Sequence, residues 1–231
     1  MRLAPRLKTR LDSLVKTRLS SVIERYFARN SSTRYATIPA VTLARDFVIE
    51  VDISTTDGDH NLLTGAYAAP AFRLAIYNDT IRVDVDGGQK ASFDIAGIDL
   101  TLFHKLVLTR VNGDFSCSLS GVNLTPIITT GFSSIINISY IYNKFNGSGI
   151  PIFKGVLANL KIWDNGTLVR NYPINDNSST IRDLANGQDG TIINGNASDW
   201  GLFDKQANGD WLGNSLAVPP WDSIDQVLVK A

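Results

Sequence analysis

The chain has 231 residues, 44% of them apolar and 19% charged, which is enough apolar material for one large folded domain. This composition excludes a disordered chain, and no apolar run approaches the roughly 18 to 20 residues that span a bilayer. We therefore expect a soluble protein without a membrane partner. The net charge is zero.

The charged residues are distributed unevenly along the chain. Residues 1–34 contain nine basic and two acidic side chains, a balance of +7, and the rest contains 13 basic and 20 acidic side chains, a balance of −7. The sequence therefore predicts a basic arm on an acidic body.

The single cysteine, Cys117, alternates with Phe115 and Leu119 in a short apolar run. One thiol cannot form an intramolecular disulfide, which excludes a disulfide scaffold and a cysteine-rich zinc site, so we expect an inert core thiol. Eight Asn-x-Ser/Thr sequons, some inside predicted strands, favour a chain that never meets the glycosylation machinery.

Residues 1–31 form the basic arm, and their apolar residues recur at helical spacing. The stripe consists of Leu7, Leu11, Leu14, Val15, Leu19, Val22 and Tyr26. This spacing predicts an amphipathic α-helix from Leu7 to Phe27. The stripe drifts and Arg18 interrupts it, which favours packing on another surface over a coiled coil. Three interpretations stay open: an anchor into a larger assembly, a helix docked on its own domain, and an organellar transit peptide.

The pattern changes to a period of two after residue 34. Phe47, Ile49 and Val51 alternate with outward residues, and a second run places Val156, Ala158, Leu160 and Ile162 on one face. Further strands are predicted at 62–67, 71–77, 80–85, 91–95, 103–111, 115–119, 135–142, 167–173 and 191–194, with a helical turn at 180–184. Short strands bounded by turn residues indicate an all-β antiparallel sandwich.

Two stretches carry a family resemblance, RYATIPAVTLARDFVIEVDIS at 34–54 and FKGVLANLKIWD at 153–164. They resemble the two signature strands of the laminin G-like, concanavalin A-like jelly-roll family. Modules of this family in bacteriophage structural proteins share further residues, which here are Leu168, Val169, Tyr172, Pro173, Asp183, Asn186, Gly187 and Trp200. The resemblance covers roughly residues 32–204 and implies a two-sheet antiparallel jelly-roll sandwich.

The C-terminal extension, residues 205–231, follows this domain. Three of the four tryptophans lie in the last 32 residues of the chain. We expect this Trp-rich tail to pack on a surface, either of its own domain or of a neighbour.

No catalytic residue is predicted. Glycosidases of this broad fold pair two carboxyl groups about 5 Å apart, whereas Glu50 has only one other Glu in the chain, Glu24 in the basic arm. His60 and His104 lack a metal-binding spacing. We therefore expect a protein that is not an enzyme and needs no cofactor.

Two kinds of binding site remain. The family resemblance implies calcium at the sandwich rim, where Asp57, Asp59 and Asp79 offer hard oxygen ligands. Asp is also a residue that turns prefer for local reasons. Three tyrosines in or near loops, Tyr67, Tyr77 and Tyr142, are the candidates for stacking on sugar rings.

Together these features predict a non-enzymatic virion structural protein of a tail, fibre, collar or capsid. Its helix and Trp-rich tail would bind other virion proteins, its jelly roll would contact protein or a host-surface glycan, and it would form a homo-oligomer or symmetric assembly. The alternatives are a soluble carbohydrate-binding lectin and a glycosidase of concanavalin A-like fold, because fold alone does not determine function.

Overall fold

The computed structural model describes residues 23–29, 35–55, 59–65, 71–141, 155–174, 179–193 and 200–204. All of the regular secondary structure in these ranges is β-strand, arranged as two antiparallel sheets. The predicted all-β two-sheet sandwich is therefore confirmed. None of the described residues forms a helix that is long and apolar enough to cross a membrane.

Seventeen strands are present in the described ranges. They are β1 (Ile23–Arg29), β2 (Tyr35–Leu43), β3 (Phe47–Thr55), β4 (Asp59–Thr64), β5 (Phe72–Tyr77), β6 (Thr80–Val85), β7 (Gly88–Asp94), β8 (His104–Val111), β9 (Asp114–Leu119), β10 (Val122–Asn123), β11 (Pro126–Thr129), β12 (Ile136–Ile141), β13 (Gly155–Asp164), β14 (Thr167–Tyr172), β15 (Thr180–Ile181), β16 (Gly190–Ile193) and β17 (Trp200–Asp204). One sheet has eight strands, in the order β10-β9-β8-β3-β13-β1-β17, with β14 also pairing with β13. The other has nine, in the order β11-β7-β6-β5-β4-β12-β2-β16-β15.

The core lies between the two sheets and consists of the inward-facing apolar side chains of the strands. The five residues predicted to be buried, Phe47, Ile49, Val51, Leu160 and Ile162, are all 2% exposed or less. Cys117 is also buried, as predicted. These residues belong to one hydrophobic cluster, so period-two alternation identified the inward face of β3 and of the second half of β13.

The helix prediction is wrong for its last residues. Residues 23–27 belong to β1, which pairs with β13 on one side and with β17 on the other. Pairing on both sides satisfies the backbone groups, and this tertiary pairing overrides the local helical spacing. The eight-stranded sheet therefore includes residues before position 32. The rest of the predicted helix, Leu7 to Val22, and the Trp-rich tail lie outside the described residues.

A bulge in β13 corrects the predicted alternation of that strand. Asn159 has a positive φ of 49°, and the register to β3 shifts between Ala158 and Lys161. The extra residue turns Leu157 towards the core, opposite Ile53, and places Ala158 opposite Asp52 on the outer face. Alternation therefore holds from Leu160 onwards but was wrong for Ala158.

The predicted turn after β15 is organised by a buried aspartate. Asp183 Oδ1 accepts hydrogen bonds from the backbone N–H of Asn171 at 2.8 Å and of Ala185 at 3.0 Å, and the positive φ of Gly187 closes the turn. Residues Thr180–Ile181 form β15, so the helical turn predicted for 180–184 is wrong. Asp183 is therefore a structural residue that ties this turn to β14.

Arg110 is fully buried, although a charged residue is not expected in the core. Its Nε donates to the backbone carbonyl of Arg45 at 2.6 Å, its Nη1 donates to that of Ser134 at 3.0 Å, and its Nη2 donates to that of Ala44. The guanidinium carbon lies 4.5 Å from the ring centroid of Phe47. Burial lowers the pKa of Arg110, and nearby acidic side chains oppose this effect. Arg110 therefore joins β8 to two segments that lie outside the strands, the loop between β2 and β3 and the residues just before β12.

Candidate functional site

A row of polar residues crosses the outer face of the nine-stranded sheet. The row follows successive cross-strand partners and consists of Tyr140, Thr64, Arg73, Asp84 and Gln89. These residues alternate with inward-facing core residues on the same strands. Because directly paired residues share a face, the strand register places these polar groups side by side over β12, β4, β5, β6 and β7.

An ion-pair cluster, the Arg73–Asp84–Arg82 cluster, lies in the middle of this face. Arg73 Nε donates to Asp84 Oδ2 at 2.6 Å, and Arg82 Nε donates to Asp84 Oδ1 at 2.6 Å. The side chain of Asp84 is 5% exposed, whereas those of Arg73 and Arg82 are 21% and 25% exposed. The carboxylate therefore fixes both guanidinium groups and leaves the cluster with one net positive charge.

An exposed aromatic ring lies beside the cluster. Tyr77 ends β5 and is 44% exposed, and the guanidinium carbon of Arg82 lies 5.6 Å from the centroid of its ring. The ring and the cation are therefore neighbours on one accessible surface. Tyr77 is one of the three predicted glycan-stacking residues, whereas Tyr67 and Tyr142 lie outside the described residues.

A buried hydroxyl lies next to the cluster. Thr64 is the cross-strand partner of Arg73 and is 1% exposed, and no described residue forms a hydrogen bond with its Oγ1. This face of the sheet thus brings together the two cations held by Asp84, the exposed ring of Tyr77 and the buried hydroxyl of Thr64.

Two of the three predicted calcium ligands, Asp59 and Asp79, lie at the Tyr77 end of β4 and β5. Asp79 follows Asn78 in the turn between β5 and β6, and both have positive φ values, 56° and 43°, which a two-residue hairpin turn requires. Asp59 pairs with Tyr77 through the backbone, close to this turn, and Asp57 lies outside the described residues. Within the described ranges, no three His, Cys, Asp or Glu residues form a group that could hold a metal. Calcium binding stays a prediction.

The carboxylates of β3 have neighbours that hold them in place. Glu50 Oε1 accepts a hydrogen bond from Lys105 Nζ at 2.6 Å, and Asp52 Oδ2 accepts one from Asn159 Nδ2 at 2.8 Å. His104 contacts Ser120 Oγ through Nδ1 at 3.2 Å. These groups form ordinary polar contacts on the outer face of the eight-stranded sheet and at its rim.

The sequence matches no protein-family model and no curated protein. Solved structures do resemble the sandwich. Domains LG4-5 of the mouse laminin alpha1 chain are 18% identical with a TM-score of 0.44, and the match covers 64% of this chain and 44% of that chain. A heptameric SAP-like pentraxin from Limulus polyphemus is 15% identical with a TM-score of 0.46, covering 62% of this chain and 76% of that one.

The enzymatically active domain of tailspike protein 2 from bacteriophage CBA120 is also similar, at 13% identity and a TM-score of 0.44, covering 65% of this chain and 32% of that chain. This chain thus spans less than half of the laminin and tailspike chains that it matches. All three scores lie below 0.5, so the architecture rests on the strand pairing described above, and no ligand or partner follows from these likenesses.

The buried thiol gives a first prediction. Burial raises the pKa of Cys117 to about 12, so the reactive thiolate is scarcer at pH 8 than for an exposed cysteine. We expect the native protein not to react with a colorimetric thiol reagent at pH 8, and to react with one equivalent after unfolding in guanidinium. Rapid reaction of the native protein would contradict the burial of Cys117.

Proposed function

We propose that this protein is a non-enzymatic binding and structural protein that holds a glycan on the outer face of its nine-stranded sheet. The observation that carries this proposal is the Arg73–Asp84–Arg82 cluster beside the exposed ring of Tyr77. Sugars are bound by stacking on an aromatic ring together with a few fixed hydrogen-bonding groups. The cluster and the ring supply both within one accessible face.

The geometry of the cluster favours binding to a polar ligand. A guanidinium has five N–H donors, and Asp84 takes one of them from Arg82. The same contact holds Arg82 in one orientation, so little side-chain entropy is lost when a ligand oxygen accepts one of the remaining donors. Hydroxyl and carboxylate oxygens of a glycan are suitable acceptors.

The contacts of the carboxylates support a role without catalysis. Retaining glycosidases need one carboxyl group as nucleophile and one as acid, about 5 Å apart. Here Glu50 is bound by Lys105, and Asp84 is held between two arginines. Both carboxylates are thus engaged by basic side chains, which disfavours the glycosidase alternative.

The proposal also places the protein in a bacteriophage virion, with the basic arm and the Trp-rich tail bound to other virion proteins. Two observations support this attachment. The basic residues are concentrated in the arm, and the strands that adjoin the arm and the tail, β1 and β17, pair with each other. Ile23 of β1 and Asp204 of β17 are cross-strand partners. The first residue of β1 and the last residue of β17 are therefore adjacent, which suits a single attachment point for the two extensions. A soluble lectin is the alternative that lacks this attachment.

Glycan binding can be tested with two substitutions on the proposed face. We expect Tyr77→Ala and Arg82→Ala each to weaken binding to a responsive oligosaccharide at least about tenfold, because each removes a direct ligand contact. The measurement is binding to an array of defined neutral, uronate-bearing and sulfated oligosaccharides, followed by calorimetry with the best of them.

Glu50→Gln is the matched control for this test, because it alters a polar residue on the other sheet. We expect this variant to bind like the unmodified protein and none of the proteins to release reducing ends from the oligosaccharide. Unchanged binding by both face variants would overturn the proposed site. Hydrolysis that Glu50→Gln abolishes would overturn the non-enzymatic role.

A further inference from the structure

One edge of the sandwich exposes apolar strands. β11 is the terminal strand of the nine-stranded sheet, and all four of its residues are exposed, with Ile127 at 57% and Ile128 at 40%. β10, which precedes it, is the terminal strand of the other sheet, and its Val122 is 68% exposed. In the part of the chain that the structure describes, no strand pairs with the outer side of β11. Exposed apolar edge strands of this kind readily pair with another strand.

The backbone of β11 presents hydrogen-bonding groups outwards. Thr130 donates its N–H to the carbonyl of Lys90 at 2.7 Å, on the β7 side. Because successive residues of an antiparallel strand direct their backbone groups to opposite sides, the N–H and C=O of Thr129 point away from β7. β11 therefore offers a donor and an acceptor from the same residue at the open edge.

The edge lies in a long uncharged part of the sequence. Residues 115–143 contain no Asp, Glu, Lys, Arg or His. Natural proteins commonly protect an open edge with lysine or other charges, whereas this edge has only Pro126 and a register shift between Pro126 and Ile128. Two copies of β11 would bring no charged side chain of that strand against each other, which favours self-association over a charged partner.

We propose that β11 pairs with β11 of a second copy of this chain across a twofold axis at Thr129. In this arrangement the two Thr129 residues exchange N–H to C=O hydrogen bonds, and the two nine-stranded sheets become one continuous sheet. The interface is isologous, so the same uncharged strand supplies both sides. β11 and β15 are the opposite ends of the nine-stranded sheet, and β1 and β17 belong to the other sheet, so the proposed contact does not use the strands that adjoin the arm and the tail.

Two substitutions on the full-length protein test this dimer. Thr129→Pro removes an outward N–H that pairing with β7 does not use, so the sandwich keeps its own hydrogen bonds while the edge can no longer pair. Ile127→Lys places two like charges at the interface. We expect each to raise the dimer dissociation constant by at least about 30-fold, measured by sedimentation velocity over a wide concentration range.

Leu184→Lys is the matched control, because Leu184 is 65% exposed and lies in the turn after β15, away from this edge. We expect it to dimerise like the unmodified protein, and all variants to show the same circular dichroism spectrum. The proposal is overturned if the unmodified protein is monomeric at every protein concentration measured. That result would be expected if this edge instead pairs with a peptide from another protein. The proposal is also overturned if Thr129→Pro and Ile127→Lys dimerise normally, because the contact then lies elsewhere in the chain.

Discussion

Replacing Arg110 with alanine is expected to lower the free energy of unfolding by about 4 kcal/mol, the largest effect of any single substitution that we predict. The variant removes the donor of three partly buried hydrogen bonds to the backbone carbonyls of Ala44, Arg45 and Ser134, and it empties the fully buried position of the Arg110 side chain. It also removes the cation that packs on the ring of Phe47. Urea denaturation measures the loss as a shift of the midpoint at an unchanged slope.

Two control variants separate charge from hydrogen bonding at this position. Arg45→Ala makes the same change of charge on an exposed side chain in the loop between β2 and β3, and we expect a change in the free energy of unfolding within about 0.5 kcal/mol. Arg110→Met keeps most of the volume without any donor, so we expect it to recover only the packing part of the loss. A loss below about 1 kcal/mol for Arg110→Ala would show that other donors satisfy the three carbonyls.

The sequence predicted the sandwich because one face of most strands is buried. Alternation in β3 identified Phe47, Ile49 and Val51 as core residues, and all three are buried. It could not locate the bulge at Asn159, because a register shift depends on the partner strand and leaves the local pattern almost unchanged. Arg110 could have been noticed, since it occupies the inward position after Leu106 and Leu108 in β8.

The candidate site was harder to predict than the fold. Tyr77 was predicted from its residue type and its position at a turn. Arg73, Arg82 and Asp84 were missed because alternating charged residues on a strand usually indicate a solvated face. Only the pairing of β5 with β6 brings Arg73 opposite Asp84, and that pairing is a property of the sheet. The only indication in the sequence was the spacing of Arg82 and Asp84, because residues two apart on a strand share a face and can form an ion pair.

Removing residues 1–22 is expected to leave the melting temperature unchanged, whereas removing residues 1–30 is expected to lower it by more than about 10 °C. The longer deletion removes β1, and with it the pairing to both β13 and β17. For a domain of this size each kcal/mol corresponds to about 2 to 4 °C, and the loss of an internal strand costs several kcal/mol. Differential scanning calorimetry of the two truncated proteins measures this difference.

The same two proteins test the proposed role of the basic arm. If the arm anchors the protein in a virion, the chain lacking residues 1–22 remains folded but no longer incorporates into particles, because its +7 segment has lost most of its basic groups. A lower melting temperature for this shorter deletion would mean that the arm belongs to the domain core. Normal incorporation would instead place the attachment in the Trp-rich tail, which follows Asp204, the cross-strand partner of Ile23.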